Sequence, residues 1–250
     1  MLSYQHSYHA GSRADIHKHN IFSRALEHLC KGAPITCIET HAGRGLYDLQ
    51  SPEAKKTGEA AHGWLTLLHD KNFLATLSPS YVSCIQKLNK GRLSSFYPGS
   101  PTLAAHILRK EDKLHLMELH PTEYAALKLN ISKDRYASLQ KRDGLEGALE
   151  VAPGGEKPGI VLIDPSYEVK SEYAVIPEFV LQLRKAWPGA AILIWAPMLP
   201  ALRYEGMIEN LKKAVKDIQI SETTWAKPGE VRGMYGSVMV GVNMPAGFVF

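Results

Sequence analysis

Three short, almost uninterrupted apolar runs constrain this chain more than any other feature: Leu114-His115-Leu116-Met117-Glu118, Gly159-Ile160-Val161-Leu162-Ile163-Asp164 and Ala191-Ile192-Leu193-Ile194-Trp195. Each is apolar at both parities and is separated from the next by enough chain for a helix. Strands of that kind lie inside a parallel sheet covered by helices on both faces, so the pattern predicts an α/β fold. Ile35 to Glu39 is a fourth β-prone run. It follows a helix that begins at Asp15, carries Ile21, Phe22, Ala25, Leu26 and Leu29 at helical spacing, and stops at Gly32. Ser78-Pro79 and Ser100-Pro101 each read as a cap followed by proline in the first helical turn, with Gly91 after the first of these helices. Ile218 to Trp225 and Ser237 to Asn243 read as a closing antiparallel pair.

Composition narrows the class. With 250 residues, 45% hydrophobic and 22% charged, the chain has ample core and is neither disordered, collagen-like nor a disulfide scaffold. No apolar stretch approaches the roughly 18 residues of a membrane span, and Met1 to His6 lacks the features of a signal peptide, so a cytoplasmic protein with no membrane partner is expected. Cys30, Cys37 and Cys84 have no zinc-ribbon or CxxC spacing and are expected to be reduced thiols. The net charge of +4 is mild, but residues 51–110 carry eight Lys/Arg against three acids. That local excess suits either a solvated face or a polyanion.

Open α/β sheets bind ligands at the carboxyl ends of their strands, and polar clusters fall there. Glu39-Thr40-His41-Ala42-Gly43-Arg44-Gly45 has the acid-x-x-x-Gly-x-Gly form of a turn that lets a nucleoside approach the backbone, with Asp48 at the third glycine position of the dinucleotide fingerprint. Glu118 is placed to accept ribose hydroxyls. Asp143, before Gly144, is placed to accept from an adenine amino group. Taken singly, each acid also reads as a helix cap or surface charge. Asp164-Pro165-Ser166-Tyr167 suits a planar amine: the Asp164 carboxylate and the Pro165 carbonyl accept its hydrogens, and Tyr167 stacks on the ring. A tight turn with a buried tyrosine is the structural alternative.

This series resembles the S-adenosylmethionine-dependent amino-methyltransferases. Tyr4-Gln5-His6-Ser7-Tyr8-His9-Ala10-Gly11, Ala14-Asp15, Lys18-His19, Thr40-His41-Ala42-Gly43, Tyr97-Pro98-Gly99-Ser100-Pro101 and Glu118-Leu119-His120-Pro121 are similar, more narrowly, to the RlmJ family of bacterial 23S rRNA adenine-N6 methyltransferases. The resemblance runs over most of residues 1 to about 245. It implies a Rossmann-like methyltransferase core with an inserted helical subdomain. Residues 1–49 would then be the N-terminal motif segment and first part of the core, 50–97 the insert and 98–250 the remainder. The spacing asks for an insert independently, since Gly45 and Glu118 are 73 positions apart where a plain unit needs about 20.

The resemblance also implies roles. His19, His41, Gly43, Ser100, Glu118, Asp143, Gly144 and Asp164 would contact S-adenosyl-L-methionine, which leaves as S-adenosyl-L-homocysteine. Asp164, Pro165 and Tyr167 would be catalytic, and Tyr4, Lys18 and Tyr167 would meet the substrate, 23S rRNA. A monomer without metal is expected. A metal site from His6, His9, His17 and His19 is the competing reading, although these residues have no recognised ligand spacing. Similar Asp/Asn-Pro-x-Tyr corners also serve enzymes acting on DNA adenine, cytosine N4 or a protein glutamine. An inactive RNA-binding relative is the alternative outside enzymes, suggested by Ser166 where the family usually has a second proline.

Overall fold

The computed structural model describes residues 4–90, 95–131, 137–231 and 233–250. Its strands are β1 (Thr36–Glu39), β2 (Leu46–Asp48), β3 (Phe96–Pro98), β4 (Lys113–Met117), β5 (Ala137–Gln140), β6 (Gly159–Ile163), β7 (Ala190–Met198), β8 (Ile218–Thr224) and β9 (Gly236–Val242). Seven of them form one sheet in the order β5-β4-β1-β6-β7-β9-β8, parallel from β5 to β7, with β9 antiparallel to both β7 and β8. The order reverses at β1, so a crevice opens above the carboxyl ends of β1, β4 and β6, the usual ligand position in such sheets.

The helices are α1 (Arg13–Leu29), α2 (Pro52–Thr57), α3 (Glu59–His62), α4 (Trp64–Leu67), α5 (Lys71–Thr76), α6 (Pro79–Leu88), α7 (Ser100–Ile107), α8 (Pro121–Asn130), α9 (Gly144–Val151), α10 (Glu172–Ala186) and α11 (Arg203–Ala214). The doubly apolar strands serve two cores because side chains alternate across a sheet. Ile160 and Leu162 of β6 pack with Phe22 and Leu26 of α1 and Leu127 of α8. Val161 and Ile163 pack on the other face with Val180 and Leu183 of α10 and Leu211 of α11. A third cluster, with Trp64, Tyr81, Ile85 and Tyr97 at its centre, joins the helices between β2 and β3 to the N-terminal segment.

Two expected helix starts differ. The first helix begins at Arg13, because Ser12 is its cap and accepts from the Asp15 amide, while the Asp15 carboxylate accepts from the Gly11 amide. At Ser100-Pro101 the cap position belongs to Gly99, and the Ser100 hydroxyl donates instead to the buried Glu39 Oε2 at 2.6 Å. Ser78 caps α6 as expected, and Gly91 lies outside the described residues. All three cysteines are free thiols, and no described helix is long and apolar enough to cross a membrane.

Candidate active site

The turn after β1 is bound on two sides. Gly43 has φ +62°, the left-handed region that favours glycine, and a Cβ there would stand 2.7 Å from the Tyr47 hydroxyl. Its amide donates to Glu118 Oε2 at 2.8 Å, and the His120 amide donates to Oε1 at 2.7 Å. Burial raises the Glu118 pKa, and these two amides oppose the rise. Arg44 pairs through two nitrogens with Glu123 of α8 at 2.9 and 2.6 Å, which fixes the turn to that helix. Glu39, at the end of β1, is fully buried, and burial pushes its pKa up to about 8 against the Ser100 hydrogen bond.

Asp143 caps α9, accepting from the Glu146 amide at 2.9 Å, and still lines the cavity; the capping reading and the ligand reading therefore share one residue. Gly144 is glycine for packing, since a Cβ there would lie 1.7 Å from the Thr40 carbonyl oxygen.

The N-terminal segment runs as a hydrogen-bonded chain to the end of β6. The Tyr4 hydroxyl meets His6 Nδ1 at 2.8 Å, His6 Nε2 meets Asp15 Oδ2 at 2.9 Å, and the Lys18 ammonium lies 3.2 Å from Asp15 Oδ1 and 2.6 Å from Asp164 Oδ2. Burial alone would lower the Lys18 pKa, but the Asp164 and Asp15 carboxylates raise it overall. Burial alone would raise that of Asp15, but His6 and Lys18 hold it well below the usual range. Lys18 is therefore a buried cation shared by two acids.

These elements enclose a cavity of about 470 Å³, within the size range of small-ligand sites. It is lined by Tyr4, Lys18, His19, His41, Gly43, Ser100, Glu118, Asp143, Gly144, Asp164 and Pro165, all singled out from the sequence. Tyr167, also singled out from the sequence, is not among the lining residues of this cavity. Its backbone is left-handed at φ +57°, which turns the ring inward onto Tyr173 with centroids 4.3 Å apart, and its hydroxyl donates to the Trp195 carbonyl at 2.7 Å. The ring is buried and is absent from the cavity wall. Trp195 of β7 also lines the cavity, a residue that the sequence reading did not single out. The signal was present, since Trp195 closes the third apolar run as Glu118 and Asp164 close the others.

The four N-terminal histidines take separate partners. His6 meets Asp15, His9 meets Glu59, His17 meets Ser237 and Ser221, and His19 meets Tyr97. Burial lowers the pKa of His19 to about 3 and that of His17 to about 4, so both are neutral rings in the fold. No group of three or more metal-ligating side chains comes together among the described residues.

Residues 32–248 match the family model described as ribosomal RNA large subunit methyltransferase D, RlmJ. The chain belongs to the RlmJ family. Ribosomal RNA large subunit methyltransferase J of Escherichia coli strain K12 is 34% identical over 247 residues, covering 98% of this chain and 88% of that protein. Its namesake from Haemophilus influenzae is 35% identical over 248 residues with the same coverage. Among solved structures, protein LPL1258 from Legionella pneumophila superposes with a TM-score of 0.84 at 31% identity, covering 96% of this chain and 88% of that one. The fold is thus the Rossmann-like methyltransferase fold expected from the RlmJ resemblance.

Proposed function

We propose that the chain transfers a methyl group from S-adenosyl-L-methionine to the N6 nitrogen of an adenine in 23S rRNA. The observation that carries this reading is the convergence of Gly43, Glu118, Asp143 and Asp164, from four strand ends, on one cavity. Membership of a family of ribosomal RNA methyltransferases supports the substrate class.

The residues present fit the methyl donor. Glu118 keeps lone pairs beyond those used by the Gly43 and His120 amides, which suits ribose hydroxyls. Asp143 keeps an oxygen beyond its cap, which suits an adenine amino group. When bound, S-adenosyl-L-methionine supplies an electrophilic methyl carbon on a sulfonium. The exocyclic amine of adenine is a poor nucleophile because its lone pair is delocalised into the ring. Asp164 and the Pro165 carbonyl, accepting the amine hydrogens, favour a tetrahedral nitrogen whose lone pair points at that carbon. Asp164 already accepts from Lys18 through Oδ2, so the second oxygen remains for the amine. Ser166 leaves the Pro165 carbonyl in place, and its own hydroxyl accepts from the Glu168 amide at 3.4 Å.

Residues 50–97 supply the RNA platform in this reading. Lys55, Lys56, Lys71, Lys87 and Lys90 are exposed there. Arg109, counted in the same basic excess, is held by Asp112 and by the Gly32 and Ala33 carbonyls, and Arg92 lies outside the described residues. Extruding the base costs a few kcal/mol, least in irregular RNA, which favours naked or partly assembled substrate.

Asp164→Ala abolishes methyl transfer while S-adenosyl-L-homocysteine still binds, as read by tritium incorporation and calorimetry; near-normal turnover contradicts the role. Offering RNA, DNA and protein pools to the wild type separates the alternatives. Label only in DNA or protein overturns the ribosomal reading, and donor binding with no transfer to protein-free large-subunit RNA indicates an inactive binding relative.

A further inference from the structure

Lys18 is buried, and its ammonium has three hydrogens to place. Among the described residues two carboxylates face it, Asp164 Oδ2 at 2.6 Å and Asp15 Oδ1 at 3.2 Å. A third partner is not an acid. The ammonium lies 5.3 Å from the centroid of the Trp195 ring, within the roughly 6 Å at which a ring face attracts a cation. Another carboxylate there would compete with Asp164 for the same hydrogens. A ring face attracts the charge through its quadrupole and takes no proton, so Asp164 keeps the short bond.

The indole is itself held. Its Nε1 hydrogen can only be donated, and it goes to Ser237 Oγ at 2.9 Å. Ser237 is fully buried on β9, the antiparallel neighbour of β7, on which Trp195 lies. Ser237 Oγ and Ser221 Oγ of β8 meet the two ring nitrogens of His17, each at 3.0 Å. His17 directly precedes Lys18 on α1. The helix that carries the ammonium is therefore pinned to the strand that orients the ring, and the contact between them is fixed from both sides.

We propose that Trp195 is a positioning residue for methyl transfer, its ring face holding the Lys18 ammonium against Asp164 while Ser237 and His17 fix the ring. The proposal rests on the methyl-transfer reading of the Asp164 corner. In that reading Lys18 occupies Oδ2 and leaves the other Asp164 oxygen for the amine. Without the ring face the ammonium gains freedom to leave the short bond, and the carboxylate loses the orientation that the amine needs. This role requires no contact between the ring and the donor or the RNA, so its loss falls on kcat.

The test compares Trp195→Leu, which keeps apolar bulk and loses the ring face, with Trp195→Phe, which keeps one. Methylation of large-subunit RNA is followed at saturating donor across a range of RNA concentrations. Trp195→Leu lowers kcat about five- to thirtyfold, the equivalent of a desolvated cation–ring contact, with KM for RNA and affinity for S-adenosyl-L-homocysteine unchanged. Trp195→Phe recovers most of that kcat. Urea unfolding of the wild type, Trp195→Leu, Lys18→Met and the double variant reads the contact without activity: the double variant loses less than the sum of the two single losses. A raised KM with unchanged kcat, a Phe variant as slow as the Leu variant, or additive losses overturns the proposal. If Trp195→Leu fails to fold, Ser237→Ala carries the kinetic measurement; it lowers kcat at constant KM, and an unchanged kcat overturns the proposal. If the wild type methylates no adenine, the methyl-transfer reading falls and the proposal with it, whereas a missing Trp195–Lys18 coupling in an active enzyme sinks the proposal alone.

Discussion

Gly43 and Gly144 occupy similar places in the sequence, each beside a strand end, and are glycine for different reasons. Gly43 needs its left-handed backbone so that its amide can reach Glu118, whereas Gly144 has no room for a Cβ against the Thr40 carbonyl. Gly144→Ala must push α9 off β1, and overpacking of this kind costs about 1–3 kcal/mol. Urea unfolding should therefore show a lower midpoint, and an unchanged one contradicts the packing argument. Lys18 is the other residue whose role exceeds its appearance. Lys18→Met leaves the buried Asp15 and the partly buried Asp164 without their shared cation, and losing one partner of a buried pair costs about 3–5 kcal/mol. The same denaturation measurement reads this loss, which should exceed that of Gly144→Ala.

Among the elements, α1 carries the most consequence. Its buried face supplies Phe22, Ala25 and Leu26 to the core, and its N-terminal turns send Asp15, His17, Lys18 and His19 toward the cavity, β8 and β9. A helix anchored by an apolar stripe holds polar side chains near its start with little freedom, which suits a site that must be preorganised. The helices between β2 and β3 have the opposite character, with exposed lysines on short helices. If these meet RNA phosphates, Lys55→Glu with Lys56→Glu reduces the slope of log affinity against log salt by about 1.4, from about 0.7 per phosphate on single strands. Filter binding across a salt series checks this, and donor affinity should not change. An unaltered slope removes α2 from the platform.

At the scale of the whole molecule, buried titratable groups set the response to pH. His17 and His19 stay neutral in the fold down to about 4 and about 3, while the unfolded chain protonates them near 6.5. The unfolded state therefore holds more protons as pH falls below 6.5, and stability drops in that direction. Glu39 acts oppositely: the fold keeps it protonated up to about 8 while the unfolded chain ionises near 4.5. Stability from Glu39 is therefore lost as pH rises from 4.5 to 8, by about 1.4 kcal/mol per pH unit. Two histidines outweigh one acid below 6.5, and the acid acts without that opposition above it. The burial-lowered His41 and His115 add to the histidine side, and the burial-raised Glu118 and Glu172 add to the acid side. Maximum stability is expected near pH 6.5, with Glu39→Gln flattening the alkaline side. Melting temperatures at pH 5, 6.5 and 8 decide this, and a wild-type maximum at pH 8 rules it out.

Strand identity, the parallel arrangement and the closing antiparallel pair were readable in the chain because apolar parity and helical spacing are local properties. The acids at strand ends were readable because an open sheet directs its carboxyl ends to one side. The first helix and the Ser100 turn were misplaced by small amounts, since a serine before a proline can cap a helix or, as Ser100 does, satisfy a buried acid 61 residues away. The fold alone settled which aromatic faces the cavity. Tyr167 and Trp195 are 28 residues apart, and the positions of their rings depend on a left-handed turn, a carbonyl on the next strand and a serine on β9. The Lys18–Asp164 pair, 146 residues apart, is equally invisible to periodicity. Local pattern determines which segments become strands and helices, whereas the partner of a buried charge or ring is chosen by packing between segments that have no proximity in the chain.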